Sequence, residues 1–185
     1  MSSGPCYLYV LPLAYEDILK VGISHDPLSR AQAFSRRYYE FFDLSRSLLV
    51  KFDTRREAQA RETALHRQLC DWNAVQPVTV PTVAAGKTEW YRGAYAILEA
   101  SVLEDIAAGR VVHAPAWSWW LTRLHAERDT LYEWVALMTG DGAWALSPHE
   151  RSKLLVDALD AYTTLGVPLE GVVSAELMRR PLRLT

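Results

Sequence analysis

A chain of 185 residues is longer than a typical single domain, and its length predicts one compact domain followed by a second module. Half of the residues are hydrophobic and 23 % are charged, a composition that excludes a disordered chain. The net charge of −2 does not by itself indicate a nucleic-acid partner, although a small total can hide opposite local charges.

The cysteines and the hydrophobic stretches indicate the cellular compartment of the protein. The two cysteines, Cys6 and Cys70, lack the CxxC spacing of a redox pair, so they are predicted to be small buried side chains. The start of the chain has no signal-peptide pattern, and no apolar run approaches the ~18 residues of a membrane span. We expect a soluble protein of the cytoplasm, with no membrane association.

Two short apolar runs open the chain and predict a β-hairpin. Residues 6–13 and Leu19–Ser24 are too short for stable helices and are rich in residues that favour strands. Asp26 then precedes Pro27, the pattern of a helix N-cap followed by proline in the first turn. Four residues at helical spacing continue this helix: Leu28, Ala31, Phe34 and Tyr38.

A third strand and two further helices follow. Ser47–Phe52 is an apolar strand, and Thr54 with Glu57 forms a capping box that begins a helix running to about Leu69. Residues 73–88 have no helical period and predict a loop or a short edge strand. A third helix, ended by Gly109, is marked by Tyr91, Tyr95, Leu98, Val102 and Ile106.

The pattern changes beyond Pro115. Apolar residues alternate in steps of four and three from Trp117 to Met138, which predicts one long helix, and Ser147 with Glu150 caps another. We therefore predict an α+β fold. A small mixed or antiparallel three-stranded sheet flanked by helices (ββαβα plus a helix) forms a first domain, residues 1–112. An all-α C-terminal module, residues 113–185, follows it.

Glu62 is the most informative single residue of this pattern. Its helical face also carries three apolar residues, Ala58, Leu65 and Leu69. An inward carboxylate is costly unless it is paired, protonated or bound to a cation. Two explanations are open at this point: a structural salt bridge with Arg30 or Arg61, or a functional site.

Several of these residues together resemble the GIY-YIG nuclease superfamily. The segments "YLYVL" and "KVGIS" are followed by Arg30, ten residues after Lys20, and by Glu62 on the helix after the third strand. "ETALHRQL" and "TEWY" are similar to elements of the phage-associated branch. The resemblance covers residues 6 to about 110. It departs from the family in two places, with Tyr7-Leu8-Tyr9 for Gly-Ile-Tyr and Lys20 for the first Tyr of Tyr-Ile-Gly.

The resemblance implies a metal-dependent DNA endonuclease that hydrolyses phosphodiester bonds. Glu62 would hold a divalent cation, Mg²⁺ or Mn²⁺, and Arg30 would clamp the scissile phosphate. Tyr9 would orient or deprotonate the attacking water, and Lys20 could lower the Tyr9 pKa or assist. His66, one turn beyond Glu62, is a further catalytic candidate, the alternative being a hydrogen-bonded structural histidine. Gly22 would leave room where the strand meets the substrate.

A local excess of basic residues fits a DNA partner. Between Arg30 and Arg67 there are nine basic residues against five acidic ones. Four of them stand in adjacent pairs and are predicted to contact the nucleic-acid backbone: Arg36, Arg37, Arg55 and Arg56. The alternative is an ordinary solvated charged face.

Two alternatives remain open for function and assembly. A nucleic-acid-binding or interaction protein on the same fold could have lost catalysis. The C-terminal helices could form a homodimer, with Trp119 or Trp120 partly exposed to a second subunit or a nucleobase, or both rings could instead cover the first domain.

Overall fold

The computed structural model describes residues 4–81, 84, 89–140 and 145–171. The chain divides into two compact units, Met1–Trp120 and Leu121–Thr185. The first contains a sheet with helices, and the described part of the second is helical. The predicted α+β class with a helix-rich C-terminal part is confirmed.

Five strands form one antiparallel sheet in the described part of the first unit. They are β1 (Cys6–Pro12), β2 (Ile18–Ser24), β3 (Leu48–Phe52), β4 (Trp90–Arg92) and β5 (Val112–His113). The order across the sheet is β4-β2-β1-β3-β5. The three predicted strands are therefore present, with β1 and β2 paired as the predicted hairpin, and two short edge strands extend the sheet.

Seven α-helices are present in the described ranges. They are α1 (Pro27–Phe34), α2 (Tyr38–Phe41), α3 (Arg55–Gln68), α4 (Tyr95–Ala107), α5 (Trp117–Ala126), α6 (Arg128–Thr139) and α7 (Pro148–Thr164). None of these helices combines the length and the apolar character that a membrane span needs.

Side-chain alternation along the central strand separates the two faces of the sheet. Cys6, Leu8 and Val10 point into a core that also contains buried residues of α3 and α4. Tyr9 belongs to the opposite face, where α1 packs and where Phe34 stacks edge-on against Trp90. The sheet thus separates α3 from α1, and residues of both helices can meet only at its edge or its end.

Capping interactions fix where the helices beside the site begin. The Asp26 carboxylate accepts a hydrogen bond from the Ser29 backbone amide, 3.3 Å away, at the start of α1. Thr54 and Glu57 form the predicted capping box at the start of α3. Because these starts are fixed, the angular position of each later residue on the two helices is fixed too.

Trp119 and Trp120 both belong to the first unit and pack against other residues of it. Trp120 is fully buried, and its indole Nε1 donates to the Ser47 hydroxyl oxygen over 2.8 Å. Trp119 packs edge-on against Tyr7, with ring centroids 5.5 Å apart. This arrangement matches the alternative in which both rings cover the first domain, and it leaves the Trp120 ring unavailable to a partner.

Three predicted boundaries were wrong. The predicted long helix is two, because the Glu127 amide donates to the Leu124 carbonyl in a tight turn between α5 and α6. Tyr91 lies in β4, so the third predicted helix begins only at Tyr95. Tyr38 lies in the separate helix α2 rather than in α1.

The second unit contains a helical pair. Its α6 buries Leu131, Val135 and Met138, which follow the predicted steps of four and three. The predicted capping box of Ser147 and Glu150 is present at the start of α7. A homodimer through these helices stays a prediction.

Only one of the two cysteines is placed as predicted. Cys6 is buried in the core, whereas Cys70 is exposed after α3 and outside the apolar stripe of that helix.

Candidate active site

Tyr9 and Gly22 lie opposite each other on the two central strands. The register pairs them directly, so the Tyr9 ring extends across the glycine. A Cβ atom built on Gly22 would lie 2.6 Å from Cζ of Tyr9 and even closer to the hydroxyl oxygen. The absence of a side chain at Gly22 is what allows the tyrosine to occupy this position.

Arg30 reaches the Tyr9 hydroxyl from the first turns of α1. Its Nε donates to the Tyr9 oxygen over 3.3 Å, and its guanidinium stacks on the Phe34 ring, 4.6 Å from the centroid. Stacking and hydrogen bonding together hold the planar cation beside the tyrosine. The structure thus brings together two of the predicted site residues.

The ionisation of Tyr9 differs from the expectation. Burial raises the pKa of Tyr9 to about 12, and the hydrogen bond and charge of Arg30 only partly oppose this effect. Desolvation therefore outweighs any lowering of the Tyr9 pKa by Lys20, and an assisting role of Lys20 stays a prediction. Tyr9 is protonated at neutral pH.

Lys20 is fully buried next to these groups. Its ammonium pairs with the Glu89 carboxylate and lies 5.7 Å from the Trp90 ring centroid. Burial lowers the pKa of Lys20, and the Glu89 hydrogen bond and charge oppose that shift. The ion pair with Lys20 therefore holds the Glu89 carboxylate in position.

Glu62 faces inward on α3, as predicted, and is 6 % exposed. Its Oε2 accepts a hydrogen bond of 2.6 Å from Gln59, and its Oε1 lies 3.8 Å from Nε2 of His66. Within the described ranges Glu62 has no ion pair with arginine, because Arg61 turns to α4 and binds Asp105. The salt-bridge explanation for this carboxylate was therefore wrong.

His66 is oriented by Tyr91. Its Nδ1 lies 2.5 Å from the Tyr91 hydroxyl, and the two rings stack with an interplanar angle of 21°. Its Nε2 is buried and has no hydrogen-bond partner in the part of the chain that the structure describes. Nε2 is 3.8 Å from Glu62, which is too far for a hydrogen bond.

Glu62, His66 and Glu89 form a group that could hold a metal ion. One donor atom of each lies within 4.8 Å of the other two. Two atoms that each lie about 2.1 Å from one ion can be separated by up to about 4.2 Å, so the 3.8 Å between Glu62 and His66 fits a shared ion. The unsatisfied Nε2 of His66 supports the same interpretation.

An open cleft of about 660 Å³ joins the two groups. It is lined by Tyr9, Gly22, Arg30, Glu62 and Glu89, among others. Tyr9 and Glu62 belong to opposite faces of the sheet, and they meet here because the cleft lies at the β2 side, where Glu89 precedes the edge strand. Of the predicted catalytic residues, Tyr9, Arg30 and Glu62 line the cleft. Lys20 pairs with the lining residue Glu89, and His66 lies beside the lining residue Glu62.

The four predicted backbone-contacting arginines are not equivalent. Arg55 is exposed and lines the cleft, and Arg56 is its exposed neighbour. Arg36 is exposed on the segment after α1. Arg37 pairs with Glu40 through two contacts of 2.6 and 2.7 Å. The geometry favours Arg55 as the member closest to any substrate in the cleft.

Sequence reasoning undervalued three residues. Glu89 was not among the predicted site residues and Tyr91 was placed in a helix, whereas Glu89 belongs to the group that could hold a metal ion and Tyr91 contacts His66 of that group. Gln59 was not singled out, although it stands one helical turn before Glu62 and donates to it. That i, i+3 spacing was the signal available for Gln59.

Comparison with protein families gives one result. The family model described as the T5orf172 domain matches residues 6–107 of this chain. No curated protein and no solved structure matches this chain.

Gly22→Ala tests the close approach of Tyr9. The new methyl group would displace the Tyr9 ring from a buried position, so we expect a loss of about 1–3 kcal/mol in the free energy of unfolding. Gly4→Ala is the matched control, because a Cβ at Gly4 meets no atom within 4 Å. Equal stability of the two variants in urea denaturation would refute the close packing.

Tyr9→Phe tests the raised pKa. Between pH 10 and 12 the unfolded chain loses the Tyr9 proton while the folded chain keeps it, so its pKa of about 12 makes stability fall as pH rises. Without the Tyr9 hydroxyl, the free energy of unfolding should fall less steeply with pH, by up to about 1.4 kcal/mol per pH unit. Tyr15→Phe, at a site that is 85 % exposed, should leave the slope unchanged in the same denaturation series. An unaltered slope in Tyr9→Phe would contradict the shift.

Proposed function

Because the chain belongs to the T5orf172 domain family, a phage-associated nuclease-like family related to the GIY-YIG and HNH types, we propose that it is a metal-dependent DNA endonuclease. The finer assignment, a GIY-YIG-type site with Lys20-Val21-Gly22 in place of Tyr-Ile-Gly, is part of this proposal. The observation that carries it is one cleft lined by both the Tyr9–Arg30 pair and the Glu62 carboxylate.

Arg30 is suited to bind the scissile phosphate. Only Nε of Arg30 donates to Tyr9, and within the described ranges the two terminal nitrogens of Arg30 make no hydrogen bond. A guanidinium edge can donate two parallel hydrogen bonds to phosphate oxygens. Stacking on Phe34 keeps the cation in place when no substrate is bound.

Tyr9 would orient a water or a phosphate oxygen while protonated. Its pKa of about 12 means that a tyrosinate is scarce at neutral pH, so the residue is poorly suited to act as a general base. Arg30 donates to the phenol oxygen, which leaves the tyrosine O–H proton available to the cleft. Tyr9 therefore acts in this proposal as a hydrogen-bond donor.

Glu62 would hold a divalent cation, Mg²⁺ or Mn²⁺, at the end of the cleft. When bound, such an ion lowers the pKa of a water that it holds and offsets charge on phosphoryl oxygens. Glu62 is suited to this role because it is buried and lacks an arginine partner in the described chain. Lys20, buried and paired with Glu89, would position that carboxylate rather than contact the substrate.

A DNA-binding or interaction protein without catalysis is the second candidate. The cleft arginines would serve either function, since backbone contact needs only positive charge. The inward carboxylate and its unsatisfied histidine neighbour favour the enzyme, because a binding surface has no use for a buried anion near the phosphate.

Cleavage of supercoiled plasmid tests the proposed activity. The intact protein should nick or linearise DNA with Mg²⁺ or Mn²⁺ and not with EDTA. Glu62→Gln should lower the rate by about a hundredfold or more, since it removes an anionic ligand at constant size. The matched control is Glu99→Gln, an exposed carboxylate on α4, which should cleave like the wild type.

The same assay separates the two candidates. If the intact protein binds DNA but neither it nor Glu62→Gln cleaves duplex or single-stranded substrate under any ion, the enzyme proposal is wrong and the binding candidate replaces it.

DNA binding at several salt concentrations tests the arginines. Loss of a phosphate contact flattens the plot of log K against log salt by about 0.9 per contact on duplex DNA. Arg55→Ala with Arg56→Ala should flatten it more than Arg36→Ala with Arg37→Ala, because Arg55 lines the cleft and Arg37 is already paired with Glu40. Unchanged slopes in both double variants would show that the basic segment is an ordinary solvated face.

A further inference from the structure

We infer that the ion site at the end of the cleft has three protein ligands, Glu62, His66 and Glu89, and takes a first-row transition-metal ion in preference to Mg²⁺. The inference deepens the proposed nuclease function and rests on it, since it specifies the ion of the same site. It assigns to His66 and Glu89 a ligand role and to Tyr91 a positioning role.

The His66 ring is held so that its Nε2 can face a metal ion. The Tyr91 hydroxyl lies 2.5 Å from Nδ1 of His66, within hydrogen-bond distance. If Nδ1 donates its proton to the Tyr91 oxygen, Nε2 carries the lone pair that a metal needs. The alternative tautomer would leave a buried N–H at Nε2 unsatisfied, since no described group accepts from it.

The charge balance of the group favours a bound cation. Glu62 and Glu89 bring two carboxylates within 4.8 Å of a common neighbour, His66. Lys20 is the cation directly paired with one of them, Glu89. Glu62 is buried, and the described partners of its carboxylate are a neutral amide and an imidazole. A bound cation would supply the missing positive charge.

The donor set contains one imidazole nitrogen and two carboxylates. Mg²⁺ prefers oxygen ligands and retains several waters, and dedicated imidazole ligation is unusual for it. Imidazole suits the later first-row ions, whose affinity for nitrogen and oxygen sites rises from Mn²⁺ towards Cu²⁺. One imidazole with two carboxylates therefore favours a transition-metal ion over Mg²⁺.

The test is metal binding by the full-length protein without DNA. Free Mn²⁺ gives an electron paramagnetic resonance signal that is lost on binding, so titration reports affinity and stoichiometry independently of cleavage. We expect one Mn²⁺ to bind per chain. Because the site includes an imidazole ligand, about a hundredfold excess of Mg²⁺ should not displace the Mn²⁺. Displacement by equimolar Mg²⁺ would overturn the inference.

Variants assign the ligands. His66→Gln and Glu89→Gln should each weaken Mn²⁺ binding by about tenfold or more, and Tyr91→Phe, which keeps the ring but removes the partner of Nδ1, by about 10–100-fold. His113→Gln, the same change on the opposite edge of the sheet, is the matched control and should bind like the wild type. Wild-type affinity in His66→Gln or in Glu89→Gln would overturn the three-ligand site.

Two further measurements keep the outcomes separate. Near-ultraviolet circular dichroism checks that each variant is folded, and if His66→Gln is not, Glu89→Gln and Tyr91→Phe decide the matter. Mn²⁺ bound at this site without DNA cleavage would refute the proposed function and support the inference. Cleavage with Mg²⁺ at an unchanged rate in His66→Gln, with no Mn²⁺ preference, would support the function and overturn the inference.

Discussion

The pairing of Tyr9 with Gly22 across the two central strands is the constraint on which the rest of the cleft depends. Because the register places a glycine opposite the tyrosine, the ring can lie across β2 and present its hydroxyl to Arg30. A shift of one residue would move Tyr9 to the face that packs on α3 and α4. Strand register, rather than any loop, thus sets the position of the arginine-binding hydroxyl.

The buried carboxylate on α3 is the second constraint, and it belongs to the other face of the sheet. Glu62 reaches the same cleft because Glu89 and Tyr91 approach it from the short edge strand and its preceding residue. In the proposed function the site therefore combines an anion-binding half, Tyr9 with Arg30, and a cation-binding half, Glu62 with its neighbours. A phosphodiester with a metal ion is the ligand that we propose for the two halves together.

The sequence was sufficient for those elements whose causes are local. The hairpin, both capping boxes and the inward position of Glu62 follow from spacing of two, three or four residues. It was insufficient where distant segments decide the structure. Glu89 precedes a three-residue strand whose existence depends on pairing with β2, and the burial that raises the Tyr9 pKa comes from residues throughout the fold.

The break at Glu127 has the same explanation. A periodic pattern continues through α5 and α6, and periodicity alone does not reveal a tight turn between two helices of the same hydrophobic spacing. The predicted role of Lys20 stays a prediction for a related reason. Its charge is taken up by Glu89, a residue 69 positions away in the sequence, so its effect on Tyr9 could not be judged from local spacing.

One measurement tests the central claim, that the two halves of the cleft act on the same phosphate. A crystal of the protein with Mn²⁺ and a short phosphorothioate oligonucleotide would locate the ion by its anomalous scattering and the backbone by its density. The account predicts the ion in contact with Glu62 and His66, and a bridging phosphate whose oxygens contact Arg30. An ion bound away from Glu62, or an oligonucleotide bound on a face that excludes Tyr9 and Arg30, would contradict it.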